Sequence, residues 1–281
     1  MISKKNKRDF EYCRKVMKEY SKTFYMAFNR LPSPKKEAVW VYYALNRRLN
    51  NIGDLQHDIA LLKEEEQKLD SFLQGQSIDD PIYRCLEEVQ KIFPMDIKAV
   101  KAMFKGQYAD AEQKNIETED ELFTYCYNVA GSVGDMLLPI LAVQHRDDLH
   151  QSASDIGTAM QLTNILRDVG EDYKEGRVYL PREKLAEYSV DLDQCCTQGP
   201  SGQFISLWEY YASIAEKKYE EGLAVINLYD KDSRFILYAA ADLYGAIIDK
   251  ARKSGYGLTQ RAFLTTLEKL KRLSAVKKMF T

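Results

Sequence analysis

Apolar side chains return every three or four residues along almost the whole chain. Ala38, Val41, Leu45, Leu49 and Ile52 make one such stripe, and Leu162, Ile165, Leu166 and Val169 make another. This spacing gathers side chains on one face of an α-helix. No stretch alternates apolar and polar residues convincingly, so no strand is predicted. The helical pattern breaks at 31–34 (LPSP), 74–81 (QGQSIDDP), 93–94 (FP), 144–148 (QHRDD), 174–181 (KEGRVYLP), 193–203 (DQCCTQGPSGQ) and 229–233 (YDKDS), where proline, glycine and small polar residues favour turns. None of these breaks is long or distinct enough in composition to uncouple two cores, and no repeat is visible. The pattern predicts one all-α domain over residues 1–281, built from roughly eight to ten helices.

Two of the predicted helices carry a polar stripe opposite the apolar one. Gln161, Asn164, Asp168 and Asp172 follow at spacings of three, four and four, so they share a face. Magnesium takes oxygen ligands, commonly one or two carboxylates, and completes its octahedron with water and substrate phosphates. Carboxylates one turn apart with an amide oxygen one turn earlier meet that demand, and an ordinary solvated face has the same spacing. The helix expected over 36–54 has the same design in Tyr43, Arg47, Asn50 or Asn51, and Asp54. Only Asp54 is charged there, because asparagine offers a neutral carbonyl oxygen. Each missing charge forgoes roughly 4 kcal/mol of attraction to a unit cation at about 4 Å and an effective dielectric near 20.

Composition narrows the class. Forty basic against 42 acidic residues leave a net charge near −2, which does not mark the whole chain as a nucleic-acid binder. Charge is uneven nonetheless: Lys4, Lys5, Lys7, Arg8, Arg14, Lys15, Lys18 and Lys22 crowd the first 22 residues, and the last twenty are also basic. Five cysteines, at 13, 85, 126, 195 and 196, form no Cys-x-x-Cys, and the histidines at 57, 145 and 150 are scattered among acidic loop residues as expected of surface side chains. A reducing compartment follows, and a zinc site does not. The longest apolar run, MLLPILAV at 136–143, is too short to span a bilayer, so a soluble cytoplasmic protein is expected.

The QLTNILRDVGEDYKEGRVYLP segment from Gln161, with SKTF at 21–24, AVWVYYALNRR at 38–48 and YCYNVAGSVG at 125–134, resembles the squalene/phytoene synthase family over about residues 10–272. Within the family it is most similar to the bacterial dehydrosqualene (diapophytoene) synthases. The resemblance implies an isoprenoid-synthase-type helical bundle around a central cavity. It also implies a prenyltransferase of isoprenoid and carotenoid biosynthesis that joins two farnesyl diphosphates head to head, through presqualene diphosphate, to dehydrosqualene. Two or three magnesium ions would act with the substrate diphosphate, and NADPH is not expected. Squalene synthase and phytoene synthase are the neighbouring readings.

By the same resemblance, Asp168 and Asp172 match the second aspartate-rich motif, Asn164 a further metal ligand and Gln161 a diphosphate or water contact. Ser21, Tyr43, Arg47, Tyr244, Arg261 and Lys269 match diphosphate-side positions. Tyr127 matches a cavity tyrosine that positions the diphosphate or the departing proton, and Phe24, Phe28 and Trp40 are expected to line the tail pocket. The first motif departs from the family: Asn50 and Asn51 stand where the family carries two adjacent aspartates, and Asp54 alone keeps its charge. Weakened catalysis and a prenyl-diphosphate binder without turnover are both compatible with that change. Basic termini and a lipid-like substrate suit peripheral contact with anionic lipid.

Overall fold

The computed structural model describes residues 6–280, so Lys4 and Lys5 of the basic amino-terminal stretch lie outside the described residues. Within that range the chain is all α, with no strand and fourteen α-helices rather than eight to ten. The surplus comes from short segments. Ser21 separates α1 (Lys7–Tyr20) from α2 (Lys22–Phe28), its side chain accepting from the Phe24 N–H to start the second helix. The stretch 193–203, expected to be a turn, instead contains most of α11 (Leu192–Gln198), nucleated by the Asp191 side chain on the Gln194 N–H. Between Pro181 and α11 lies the one-and-a-half-turn α10 (Arg182–Glu187).

The remaining helices are α3 (Lys35–Asn50), α4 (Ile59–Leu73), α5 (Pro81–Gln90), α6 (Ile97–Ala111), α7 (Glu119–Cys126), α8 (Ser132–Leu141), α9 (His150–Lys174), α12 (Gly202–Ala224), α13 (Lys231–Lys253) and α14 (Thr266–Met279). The 25-residue α9 is the axis of the fold, and α8, α12 and α13 pack against it. Fourteen of its residues are buried, including the Leu162, Ile165, Leu166 and Val169 stripe. On the other side α1 packs on α3 and α5, while α2 and α14 pack on α13.

Two π-helical turns interrupt the α geometry, at Asn51–Gln56 after α3 and at Tyr127–Gly131 between α7 and α8. Both lie against α6. Single π turns inside helices concentrate at functional sites. The first depends on Gly53, because a Cβ there would fall 2.7 Å from the Gln107 carbonyl oxygen of α6. Asp54 therefore stands on a widened turn, not on the continuing α-helix that the sequence pattern suggests. No helix among the described residues is long and apolar enough to cross a membrane.

Candidate active site

The inward stripe of α9 changes character along its length. Ala153, Ile156, Gly157 and Met160 are followed by Gln161, Asn164 and Arg167, and all seven line one cavity of about 370 Å³. At 1.5 Å per residue this wall is roughly 21 Å long. Opposite it, α3 presents Tyr43, Asn46, Arg47 and Asn50, spread over two turns of one face. Phe24 and Phe28 of α2 and Leu137, Leu138 and Leu141 of α8 close the apolar end. Tyr244 and Arg261 complete the polar end, with the Phe24 and Tyr244 rings stacked at 5.0 Å. A deep apolar pocket beneath a few convergent polar groups is the usual form of a small-molecule site.

The polar end holds unusual electrostatics. Asp168 is held by two arginines, with Arg167 Nε and Nη2 at 2.7 and 2.5 Å and Arg261 Nε and Nη2 both at 3.2 Å. Arg261 reaches the site because its loop is pinned to α9. The Gly170 N–H donates to the Gly257 carbonyl at 2.8 Å, and a Cβ on Gly170 would sit 1.9 Å from the Leu258 oxygen. Asp172, one turn further, has the opposite problem. Burial first, and then the charges of Asp168 and Asp54, push its carboxyl up to about 8. Arg177 opposes that shift but is committed elsewhere, its guanidinium bonded to buried Asp110 at 2.6 Å and to Tyr179 at 2.7 Å.

Across the mouth the α3 half is neutral and unsatisfied. The side-chain oxygens of Asn46, Asn50 and Asn51 and the Nε of Arg47 are buried without a hydrogen-bond partner. Orphaned buried acceptors are costly unless something fills them. Two of these oxygens, those of Asn46 and Asn50, and the Arg47 guanidinium belong to residues that line the cavity, where a ligand carrying cations and anionic oxygens would satisfy them. The Arg47 guanidinium is held in place from behind, 4.3 Å above the Tyr20 ring.

Of the residues singled out in the sequence, the structure brings Ser21, Phe24, Phe28, Tyr43, Arg47, Asn50, Gln161, Asn164, Tyr244 and Arg261 onto one lining. Asp54, Asp168 and Asp172 are not on that lining: Asp168 is bonded to Arg167 and Arg261, which are, while Asp172, one turn further along α9, lines a separate small crevice with Arg177 and Tyr179. Three more, outside the acidic set, do not line it either. Trp40 is packed into the core at 8% exposure, one turn below Tyr43. Lys269 lies in α14 beside Lys22, and burial and that neighbour lower its pKa. Tyr127 turns away, donating to buried Asp135 at 3.1 Å, and Asp135 also bonds His150 Nδ1 at 2.9 Å. His150 is exposed, as are His57 and His145, in keeping with the expectation for the histidines, and it adds this one bond to Asp135.

The squalene/phytoene synthase family profile matches residues 17–268. The chain belongs to that family. It is 34% identical to the 4,4'-diapophytoene synthase of Staphylococcus haemolyticus strain JCSC1435, covering 97% of both proteins. It is 31% identical to the 15-cis-phytoene synthase of Synechococcus elongatus strain ATCC 33912, over 93% of this chain and 90% of that protein. A crystal structure of a dehydrosqualene synthase in complex with ligand superposes with a TM-score of 0.94, 38% identity and coverage of 98% and 97% of the two chains. This family member's fold is thus that of the isoprenoid synthases.

Arg167 and Asn46 also line the cavity, each three residues from a residue that the polar stripes single out, Asn164 and Tyr43. The MLLPILAV run, too short for a membrane, supplies Leu137, Leu138 and Leu141 to the cavity wall. Its periodicity was the available signal.

Proposed function

We propose that this chain, as a single domain over residues 1–281, is a cytoplasmic prenyltransferase that condenses two farnesyl diphosphates head to head, through presqualene diphosphate, to dehydrosqualene. The observation that carries the reading is the cavity itself: an apolar chamber capped by three arginines, a neutral amide half and an acidic half. Its likeness to the diapophytoene synthase of S. haemolyticus favours the thirty-carbon product over the forty-carbon one.

The residues fit magnesium. Asp168 and Asp172 would hold it, with Asn164 beside them and Asp54, Asn50 and the orphaned Asn51 oxygen across the mouth. Among the described residues no three His, Cys, Asp or Glu side chains are grouped to hold a metal unaided, so substrate oxygens complete the set. When bound, magnesium neutralises diphosphate charge so that the prenyl carbon–oxygen bond can ionise.

The protein's own groups do the rest. An arriving diphosphate offers new acceptors to Arg167 and Arg261, which frees Asp168 from its two guanidiniums, and the unpartnered Arg47 Nε gains an oxygen. Tyr43, whose hydroxyl burial pushes up to about 12, stays protonated and donates. Phe24, Phe28 and the α8 leucines keep water from the cationic intermediate. Tyr127 and Lys269 have no place on the lining, and the proposal gives them no direct substrate contact.

Incubating the protein with farnesyl diphosphate and magnesium, with and without NADPH, tests this. A thirty-carbon product with conjugated-triene absorbance and no NADPH requirement is expected. Squalene formed only with NADPH, a forty-carbon product from twenty-carbon substrate only, or tight binding without turnover would each replace the reading. The last outcome is the one that neutral Asn50 and Asn51 favour, and restoring turnover with Asn50→Asp/Asn51→Asp would trace it to them.

A further inference from the structure

The cavity opens beside a surface that is both greasy and basic. Phe263, Leu267 and Leu270 are 66%, 62% and 50% exposed. Phe263 lies two residues beyond Arg261, which lines the mouth, and the two leucines occupy the first turns of α14, one helical turn apart. The helix is started by a reciprocal cap between Thr265 and Glu268, so this stretch is built rather than frayed. Leu273 and Val276 in the later turns are buried, whereas Leu267, Leu270 and Lys271 are exposed. The patch continues onto α1 and α2. Lys269 is close enough to Lys22 to feel its charge, and Tyr20, which lines the mouth, is 48% exposed. Lys18, Lys22 and Lys271 are exposed, and the one exposed acid between Lys18 and Tyr20 is Glu19. The nearest acid on α14, Glu268, is neutralised by Lys250 at 2.5 Å.

An interfacial anchor needs this combination: large apolar side chains that enter the headgroup boundary, ringed by cations that attract anionic lipid. A protein partner would be expected to meet an apolar core with charge moved to the edge and depleted; here lysines alternate with the leucines along the same turns. We propose that the loop 261–265, the start of α14 and the end of α1 form a docking surface that seats the cavity mouth on an anionic bilayer. The functional reading above supplies the cargo, a lipid tail entering and a hydrocarbon leaving, but the surface stands on its own exposure and charge.

The test uses no substrate, so it fails or succeeds independently of the catalytic reading. The full chain is floated with vesicles of phosphatidylcholine alone or with a third phosphatidylglycerol, at low and high salt. Binding is expected only to the anionic vesicles and to weaken as salt rises. Leu267→Glu/Leu270→Glu, with an unchanged thermal melt, should weaken partitioning by about tenfold or more, and Lys271→Glu by roughly fivefold to tenfold. Phe263→Trp, placed in a loop where folding is not at stake, should show blue-shifted emission and quenching by brominated lipid. Absence of anionic-vesicle binding, binding that ignores these substitutions, or a Phe263→Trp variant whose emission brominated lipid leaves unquenched would overturn the proposal. So would a light-scattering dimer that Leu267→Glu/Leu270→Glu dissociates, since the patch would then face a second copy.

Discussion

The two ends that meet at the cavity mouth differ in charge and in backbone. On α9 the stripe runs through Gln161, Asn164, Asp168 and Asp172 without leaving α geometry, and both carboxylates are present. On α3 the corresponding stripe passes from Arg47 and Asn50 into a π turn carrying Asn51 and Asp54, and its amide oxygens are left unpartnered. The acidic half is already satisfied or over-charged by itself: Asp168 by two arginines, Asp172 by keeping its proton. The neutral half holds no such repulsion and no such attraction. We infer a division in which α9 supplies the charge for diphosphate activation and α3 supplies neutral oxygens and one arginine that fill only when substrate arrives.

Breaking the α9 half should cost most. Removing one carboxylate charge about 4 Å from a cation forgoes roughly 4 kcal/mol at an effective dielectric near 20, about a thousandfold in rate. Asp168→Asn and Asp172→Asn are each expected to lower kcat/KM for farnesyl diphosphate by about that factor, whereas exposed Asp54, across the mouth, should lose roughly tenfold to a hundredfold on conversion to Asn. Equal losses at all three positions in steady-state kinetics would erase the asymmetry.

Protons give a second handle. Asp172 holds its proton up to about 8 in the native protein, whereas an unfolded aspartate releases it near 4. Between those values the native state binds more protons, so its stability falls as pH rises from about 4 to about 8. Thermal melts of the metal-free protein should show this slope, and Asp172→Asn should flatten it. Binding of magnesium with pyrophosphate must expel that proton. At pH 7 close to one proton should be released per site, measured by calorimetry in buffers of different ionisation enthalpy, and the release should fade above pH 8.5.

Restoring the α3 half should have a smaller effect of opposite sign. Asn50→Asp/Asn51→Asp is expected to lower the magnesium concentration needed for half-maximal pyrophosphate binding by about tenfold, less than full Coulomb attraction allows because the rim is solvated. The same change should lower the melting temperature without metal, since it adds two charges beside Asp54 and Asp172. A magnesium requirement that does not move would mean that α3 contributes no oxygen to the cation.

How much of this was legible in the sequence follows the periodicity of the elements involved. The α9 stripe reads directly from 161 to 172 because the helix is regular, and so does the α3 stripe up to Asn50. The π turn does not, since the pattern of apolar residues through Ile52 continues as if α-helical while Gly53 packs on Gln107, 54 residues away in the chain. Arg261 and Tyr244 became site residues only by resemblance, because nothing local predicts that the 255–258 loop bonds to Gly170. Tyr127 and Trp40 show the reverse. Their residue types suit a cavity wall, but Asp135, eight residues on, takes the Tyr127 hydroxyl, and packing sinks Trp40 into the core.

The smallest predicted effect lies at the far end of the cavity, where the tail ends. Phe28 is 3% exposed, touches Phe24 at a ring separation of 5.8 Å, and belongs to α2, which packs on α13. Replacing it with Ala empties volume in the apolar floor, at a cost of about 3 kcal/mol in stability, and leaves every charged group at the mouth in place. Chain-length selection in such pockets is worth only about 1–3 kcal/mol. Phe28→Ala is therefore expected to shift the ratio of kcat/KM for twenty-carbon over fifteen-carbon diphosphate upward by about tenfold, with an unchanged magnesium requirement. If the ratio stays fixed while the protein remains folded, length is set instead by the α8 and α9 walls, and α2 contributes only packing.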